Sequence, residues 1–269
     1  MTEALLTALK ASVALLILGI GMNATLADLG YLWRRKALLA RTLLAMYVLV
    51  PLAAFAIVKI FPVSTPVKAA LLVFAASAGA PLLPRKLLDL GSGGYVFSLV
   101  VTSSLLAIAV VPAWVALLGR HFEAADAIST ATVALVVAKA FLLPLAVGMA
   151  ARALFPAWGA RNAGRLMSAA GLLLVVSAAA VLALNWESFL GVRPAGVAAL
   201  ATLMAVSLAI GHLLGGPLPD DRTALAVACS TRHIGLVVVV GASFPGTNTL
   251  VILGVYLATS LLVTIPYRR

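Results

Sequence analysis

Nine apolar runs, each close to the length of a bilayer crossing, follow one another along the chain and leave little sequence between them. A membrane-spanning helix needs roughly 20 predominantly apolar residues. The runs lie near residues 4–22, 38–60, 67–83, 94–118, 129–154, 164–184, 194–216, 222–242 and 247–265. In lipid every backbone N–H and C=O must be paired inside the protein, so runs of this length imply helices. The expected fold is therefore an all-α integral membrane protein of about nine transmembrane helices. Composition agrees: 64% of residues are hydrophobic and 10% charged, against about 45–50% and 25% in soluble chains. A surface with so few charges excludes a water-soluble domain. The whole chain, 1–269, reads as one transmembrane unit, with no long linker or separate soluble region, so its function must lie within the bundle.

The net charge of +11 could suggest nucleic acid, but the cations sit between the apolar runs rather than on a polar face. Arg34, Arg35, Lys36 and Arg41 follow the first run. Arg152, Arg161 and Arg165 follow the fifth, and Arg268 and Arg269 follow the ninth. With nine spans all three clusters share one side, opposite Glu123, Asp126 and Glu187. By the positive-inside rule that gives an outside N-terminus and an inside C-terminus in a plasma membrane, as in a bacterial inner membrane. No nucleic-acid partner is expected; the bilayer is. The N-terminus lacks the charged segment and cleavage site of a signal peptide, so the first run is expected to stay. A single cysteine, Cys229, excludes a disulfide framework and a multi-cysteine metal site. No cofactor is expected.

Two runs are interrupted. The third contains Ser77-Ala78-Gly79-Ala80-Pro81-Leu82-Leu83-Pro84-Arg85-Lys86, and the eighth contains Ala228-Cys229-Ser230-Thr231-Arg232-His233-Ile234-Gly235. Proline removes a backbone donor and clashes with the preceding turn, so such backbone survives at membrane depth only around a cavity. Ionisable residues there are candidate functional groups. The interruptions are five spans apart, so the two helices run in opposite directions. This is the pattern of an inverted repeat whose broken helices meet near the midplane, where secondary transporters bind substrate. The repeats would cover about 1–120 and 128–269, with Pro81, Pro84, Thr231 and Gly235 forming the crossover backbone.

Blander readings stand beside these. Arg85 and Lys86 also read as the cytoplasmic end of a short helix, with Asp89 as an ion-pair partner. Arg232 also reads as a brace for the carbonyls of a broken helix, and His233 as a satisfied core histidine. His212, on an apolar helix with Gly211 and Gly215, reads as packing.

Several stretches carry a family resemblance. Gly21-Met22-Asn23-Ala24-Thr25-Leu26-Ala27-Asp28-Leu29 resembles a signature of the bile acid:sodium symporter family. Gly93-Gly94-Tyr95-Val96-Phe97-Ser98, Lys139-Ala140-Phe141-Leu142-Leu143-Pro144 and Arg222-Thr223 leading to Gly235-Leu236 match in order along the chain. The resemblance implies two inverted repeats, a core domain of spans 2, 3, 4, 7, 8 and 9, and a panel domain of spans 1, 5 and 6. This chain resembles members that lack the first of ten helices.

The departures are chemical. Where the family has Ser and Asn at the first crossover, this sequence has Pro84 and Arg85. At the second, the family's Glu and its Gln-Asn-Ser-Gly are Ala228 and Arg232-His233-Ile234-Gly235. The hydroxyls of the following helix are kept as Ser98 and Thr102. Arginine offers only donors, and a guanidinium about 4 Å from a cation repels it by about 4 kcal/mol at an effective dielectric of 20. No family-type sodium site is therefore expected, and no other metal. Arginine's planar fork instead suits carboxylate, phosphate or sulfonate. The expected substrate is a small organic anion, moved by alternating access. It would be bound by Arg85, Arg232 and His233 and lined by Ser98, Thr102, Tyr256 and Thr259. An intramembrane enzyme would need paired carboxylates or an oriented nucleophile, and the pair Cys229–His233 has no acid beside it. The alternatives are a ligand-binding or sensor protein on a transporter fold, and a sodium-coupled symporter with rearranged ion sites.

Overall fold

The computed structural model describes residues 2–77, 93–122, 129–184, 186–187, 193–231, 254–256, 259, 263 and 267. Every element among them is helical. Helix α1 spans Thr2–Asn23. Two single-turn helices, α2 (Leu26–Leu29) and α3 (Tyr31–Arg34), join it to α4 at Lys36–Ile60. Then come α5 (Thr65–Ala76), α6 (Gly93–Phe122), α7 (Thr130–Leu154), α8 (Pro156–Leu184), α9 (Pro194–Leu214) and α10 (Pro219–Ser230).

Among the described residues, five helices are long and apolar enough to cross a membrane: α4, α6 over Gly94–Trp114, α7, α8 over Pro156–Val181, and α9. They fall on the second, fourth, fifth, sixth and seventh apolar runs. The largest difference is at α8, which begins at Pro156 rather than near 164. Pro156 supplies a favourable first helical residue, since its missing N–H would be unpaired there in any case. The first turns carry Arg161 and Arg165, which hid the start from a hydropathy reading. The ninth run lies almost wholly outside the described residues.

Proline explains a second feature. Both α4 and α7 contain a π turn, at Ala45–Leu49 and Ala138–Leu142, in which Val50 N–H bonds to Ala45 O and Leu143 N–H to Ala138 O. Each turn ends two residues before a proline, Pro51 or Pro144. A proline ring inside an α-helix clashes with the carbonyl four residues back; one extra residue in the turn moves that carbonyl aside. The local sequences share Ala-x-x-x-Leu-x-Pro-Leu-Ala.

Helix packing falls mainly into two groups, joined where α6 contacts α7. Helix α1 packs chiefly against α7 and α8, while α9 packs on α10 and α4, and α5 touches both α4 and α6. Helix association in lipid rests on close van der Waals fit between small residues, and α1 meets α7 through glycines. A Cβ on Gly148 would lie 2.1 Å from the Leu18 carbonyl oxygen, and one on Gly21 2.4 Å from that of Leu145. Gly211 of α9 likewise admits Ala226 and Leu225 of α10, where a Cβ would come within 2.5 Å.

Candidate functional site

The two interrupted stretches begin where described helices stop. Helix α5 ends at Ala76 and Ser77 forms a bend. Helix α10 ends at Ser230, and Thr231 takes extended backbone at φ −89°, ψ 154°. The Thr231 hydroxyl donates to Val227 O at 2.9 Å, the same carbonyl that accepts the Thr231 N–H, so the side chain bonds back onto the last turn of the helix. Arg85, Arg232, His233, Pro81, Pro84 and Gly235 lie outside the described residues. The side-chain site of the sequence reading is therefore described only at Ser98, Thr102, Thr231, Tyr256 and Thr259, all buried.

Ser98 and Thr102, four residues apart on α6, face the connection between α1 and α4. The Ser98 hydroxyl donates to Leu29 O at 2.8 Å and accepts from Leu32 N–H at 3.0 Å. Thr102 accepts from the Trp33 indole N–H at 3.1 Å. These hydroxyls thus hold α2 and α3 against α6. Trp33 is 58% exposed while its N–H is bonded, the disposition of an interfacial indole with an apolar body and a polar handle.

The signature stretch around Asp28 has a structural role here. Asp28 accepts from Thr25 N–H at 2.8 Å and from the Thr25 hydroxyl at 2.7 Å, while Asp28 N–H bonds back to Thr25 O, so the pair closes the start of α2. Gly94 allows α6 to approach: a Cβ there would lie 2.9 Å from the Asp28 carboxylate. Arg34 donates to Gly30 O and Ala27 O and closes the far end.

Tyr256 stacks on Phe74 of α5 with ring centroids 4.9 Å apart. Sequence reasoning missed other polar groups of the same helices. Tyr47 donates to Ser103 O at 2.7 Å, and Thr42 and Tyr95 share a 3.0 Å hydroxyl contact. Ser77 and Ser104 carry buried hydroxyl oxygens with no hydrogen-bond partner among the described residues. Thr42 and Tyr47 in the second apolar run, and Thr102-Ser103-Ser104 in the fourth, were the available signal.

Where α3 and α4 meet the α9–α10 connection, Arg35 lies 3.6 Å from the buried carboxylate of Asp221 and over the Tyr31 ring at 4.2 Å. Burial raises the Tyr31 hydroxyl above its ordinary pKa; Asp221 adds to the rise and Arg35 opposes it. Asp221 sits in the first turn of α10, where the helix dipole favours negative charge.

Among families, the model of the sodium bile acid symporter family matches residues 11–191. The chain belongs to that family. The match runs from within α1 through α8, takes in the first interrupted stretch, and ends before the second. No curated protein matches the chain. With its apolar helices, membership in the sodium bile acid symporter family makes this a multi-pass membrane protein of the transporter class. The stretch around Asp28 folds the first interhelical connection, which Ser98 and Thr102 hold against α6.

Proposed function

We propose that the chain is a secondary transporter that carries a small organic anion by alternating access, without the family's usual sodium sites. In this reading the nine spans form two inverted repeats. Spans 1, 5 and 6 form a panel, and the broken third and eighth spans cross within a core. The packing of α1 chiefly on α7 and α8 supports such a division, with α6 and α7 in contact across it.

The observation that carries the sodium-independent part is Ala228. Where the family resemblance implies a sodium carboxylate, α10 presents a fully buried methyl group. The two kept hydroxyls are also engaged elsewhere, Ser98 with Leu29 and Leu32 and Thr102 with Trp33. A sodium ion needs several oxygen ligands, and this wall of the core has lost its charged one. Arg85 and Arg232, one at each crossover, replace cation affinity with anion affinity.

The test is uptake of labelled carboxylates and sulfonates by purified protein in liposomes, under inward gradients of sodium or of potassium. Equal uptake in the two salts is expected, with loss in Arg232→Ala. Uptake abolished by replacing sodium with potassium would overturn the reading. An anion that stabilises the protein but is never carried would identify a binding protein instead.

A further inference from the structure

Away from the crossovers, a cavity of about 330 Å³ opens between the start of α4 and the α9–α10 connection. Its walls include Arg35, Lys36, Arg41, Leu218 and Asp221. Three cations against one carboxylate leave an excess of two positive charges.

The cations are not equivalent. Arg35 is spent on Asp221 and Tyr31. Lys36 and Arg41 are exposed, and neither side chain has a hydrogen bond or ion pair among the described residues. Asp221 would repel an anion, but its side chain is 2% exposed and covered by Arg35. The cavity also receives the first turn of α4, whose N-cap, Arg35, makes no side-chain cap. The N–H groups there have no intrahelical partner, and the dipole favours an anion. Gly216, at φ +91°, brings its backbone beside Leu38 and Arg41 without a side chain to fill the space. Half-exposed Leu218 forms an apolar wall.

We propose that this cavity binds a phosphate-bearing anion, held by Lys36 and Arg41 at the uncapped start of α4. Its volume is at the small end of ligand pockets, which suits a phosphate or a lipid headgroup rather than a larger solute. Two sources share that chemistry: an anionic phospholipid, whose chains would lie along Leu218, and a free phosphate. The site is independent of the transport reading and of the crossover arginines.

Unfolding temperature of the purified full chain in neutral detergent tests it. One arm titrates a short-chain phosphatidylglycerol against an uncharged glyceride of equal chain length. The other titrates sodium phosphate against sodium chloride at matched ionic strength. The wild type is expected to rise by about 5 °C at saturation in at least one phosphate arm. The Lys36→Gln/Arg41→Gln variant should lose most of that rise. Both side chains are exposed and unbonded, so its unfolding temperature without ligand should match the wild type; Arg41→Gln alone serves if it does not. A response to phosphatidylglycerol alone assigns a lipid headgroup, and a response to both assigns phosphate itself. No response in either arm, or equal responses in wild type and variants, overturns the proposal.

Discussion

Gly148 gives the sharpest test of how the bundle is held together. Its Cα faces the backbone of α1, and a Cβ placed there would stand 2.1 Å from Leu18 O and 3.0 Å from Met22 N. Neither neighbour is a side chain that can rotate away. To restore an ordinary 3.4 Å contact, α1 and α7 must separate by about 1.3 Å, and a gap of even about 0.5–1 Å forfeits a quarter to a half of each dispersion contact. No hydrophobic force drives helix association in lipid, so that loss falls on the main attraction between these helices. Gly148→Ala should therefore destabilise by about 2–3 kcal/mol, or roughly 5–10 °C in unfolding temperature. Gly171 is the control, because a Cβ there meets nothing within 4 Å. Replacing it with Ala should stabilise α8 by up to about 1 kcal/mol through helix propensity alone. Thermal unfolding of the two variants in one detergent, followed by circular dichroism, makes the comparison. Equal shifts, or a stabilised Gly148→Ala, would refute the argument that α1 and α7 touch through backbone.

Other perturbations follow from the hydrogen bonds. Ser98→Ala leaves Leu32 N–H and Leu29 O unpaired; it should cost about 1–3 kcal/mol and increase proteolysis within residues 24–35. Tyr47→Phe removes the bond to Ser103 O and should cost about 1 kcal/mol in thermal unfolding. Arg35→Gln exposes the buried Asp221 carboxylate to an unfavourable setting and should lower the unfolding temperature by more than Lys36→Gln, a difference of about 1 kcal/mol at a half-exposed pair.

The spans were legible because about 20 apolar residues have few places to go but the bilayer, and α4, α6, α7 and α9 start and stop within a few residues of their apolar runs. The start of α8 was not legible, because Arg161 and Arg165 interrupt the run while Pro156 begins the helix. Thr231, singled out as interrupted backbone, is the residue at which α10 leaves helical geometry. Ser98 and Thr102 were singled out for their chemistry, yet their hydroxyls hold α2 and α3. The donors come from 66 and 69 residues away in sequence, a distance at which no local pattern reports. The π turns had a visible signal in Pro51 and Pro144. Hydropathy is blind to it, because a π turn and an α turn bury the same apolar side chains.

The latch on α6 has a mechanical consequence. Because α2 and α3 are fastened to α6, while α1 belongs to the group with α7 and α8, the first connection yields only between Asn23 and Leu26. Two residues, Ala24 and Thr25, lie there outside any helix, and two residues reach at most roughly 7 Å when extended. Any displacement of one helix group past the other is leashed at that point. A two-residue tether limits its stroke there, beside the contact of α6 with α7.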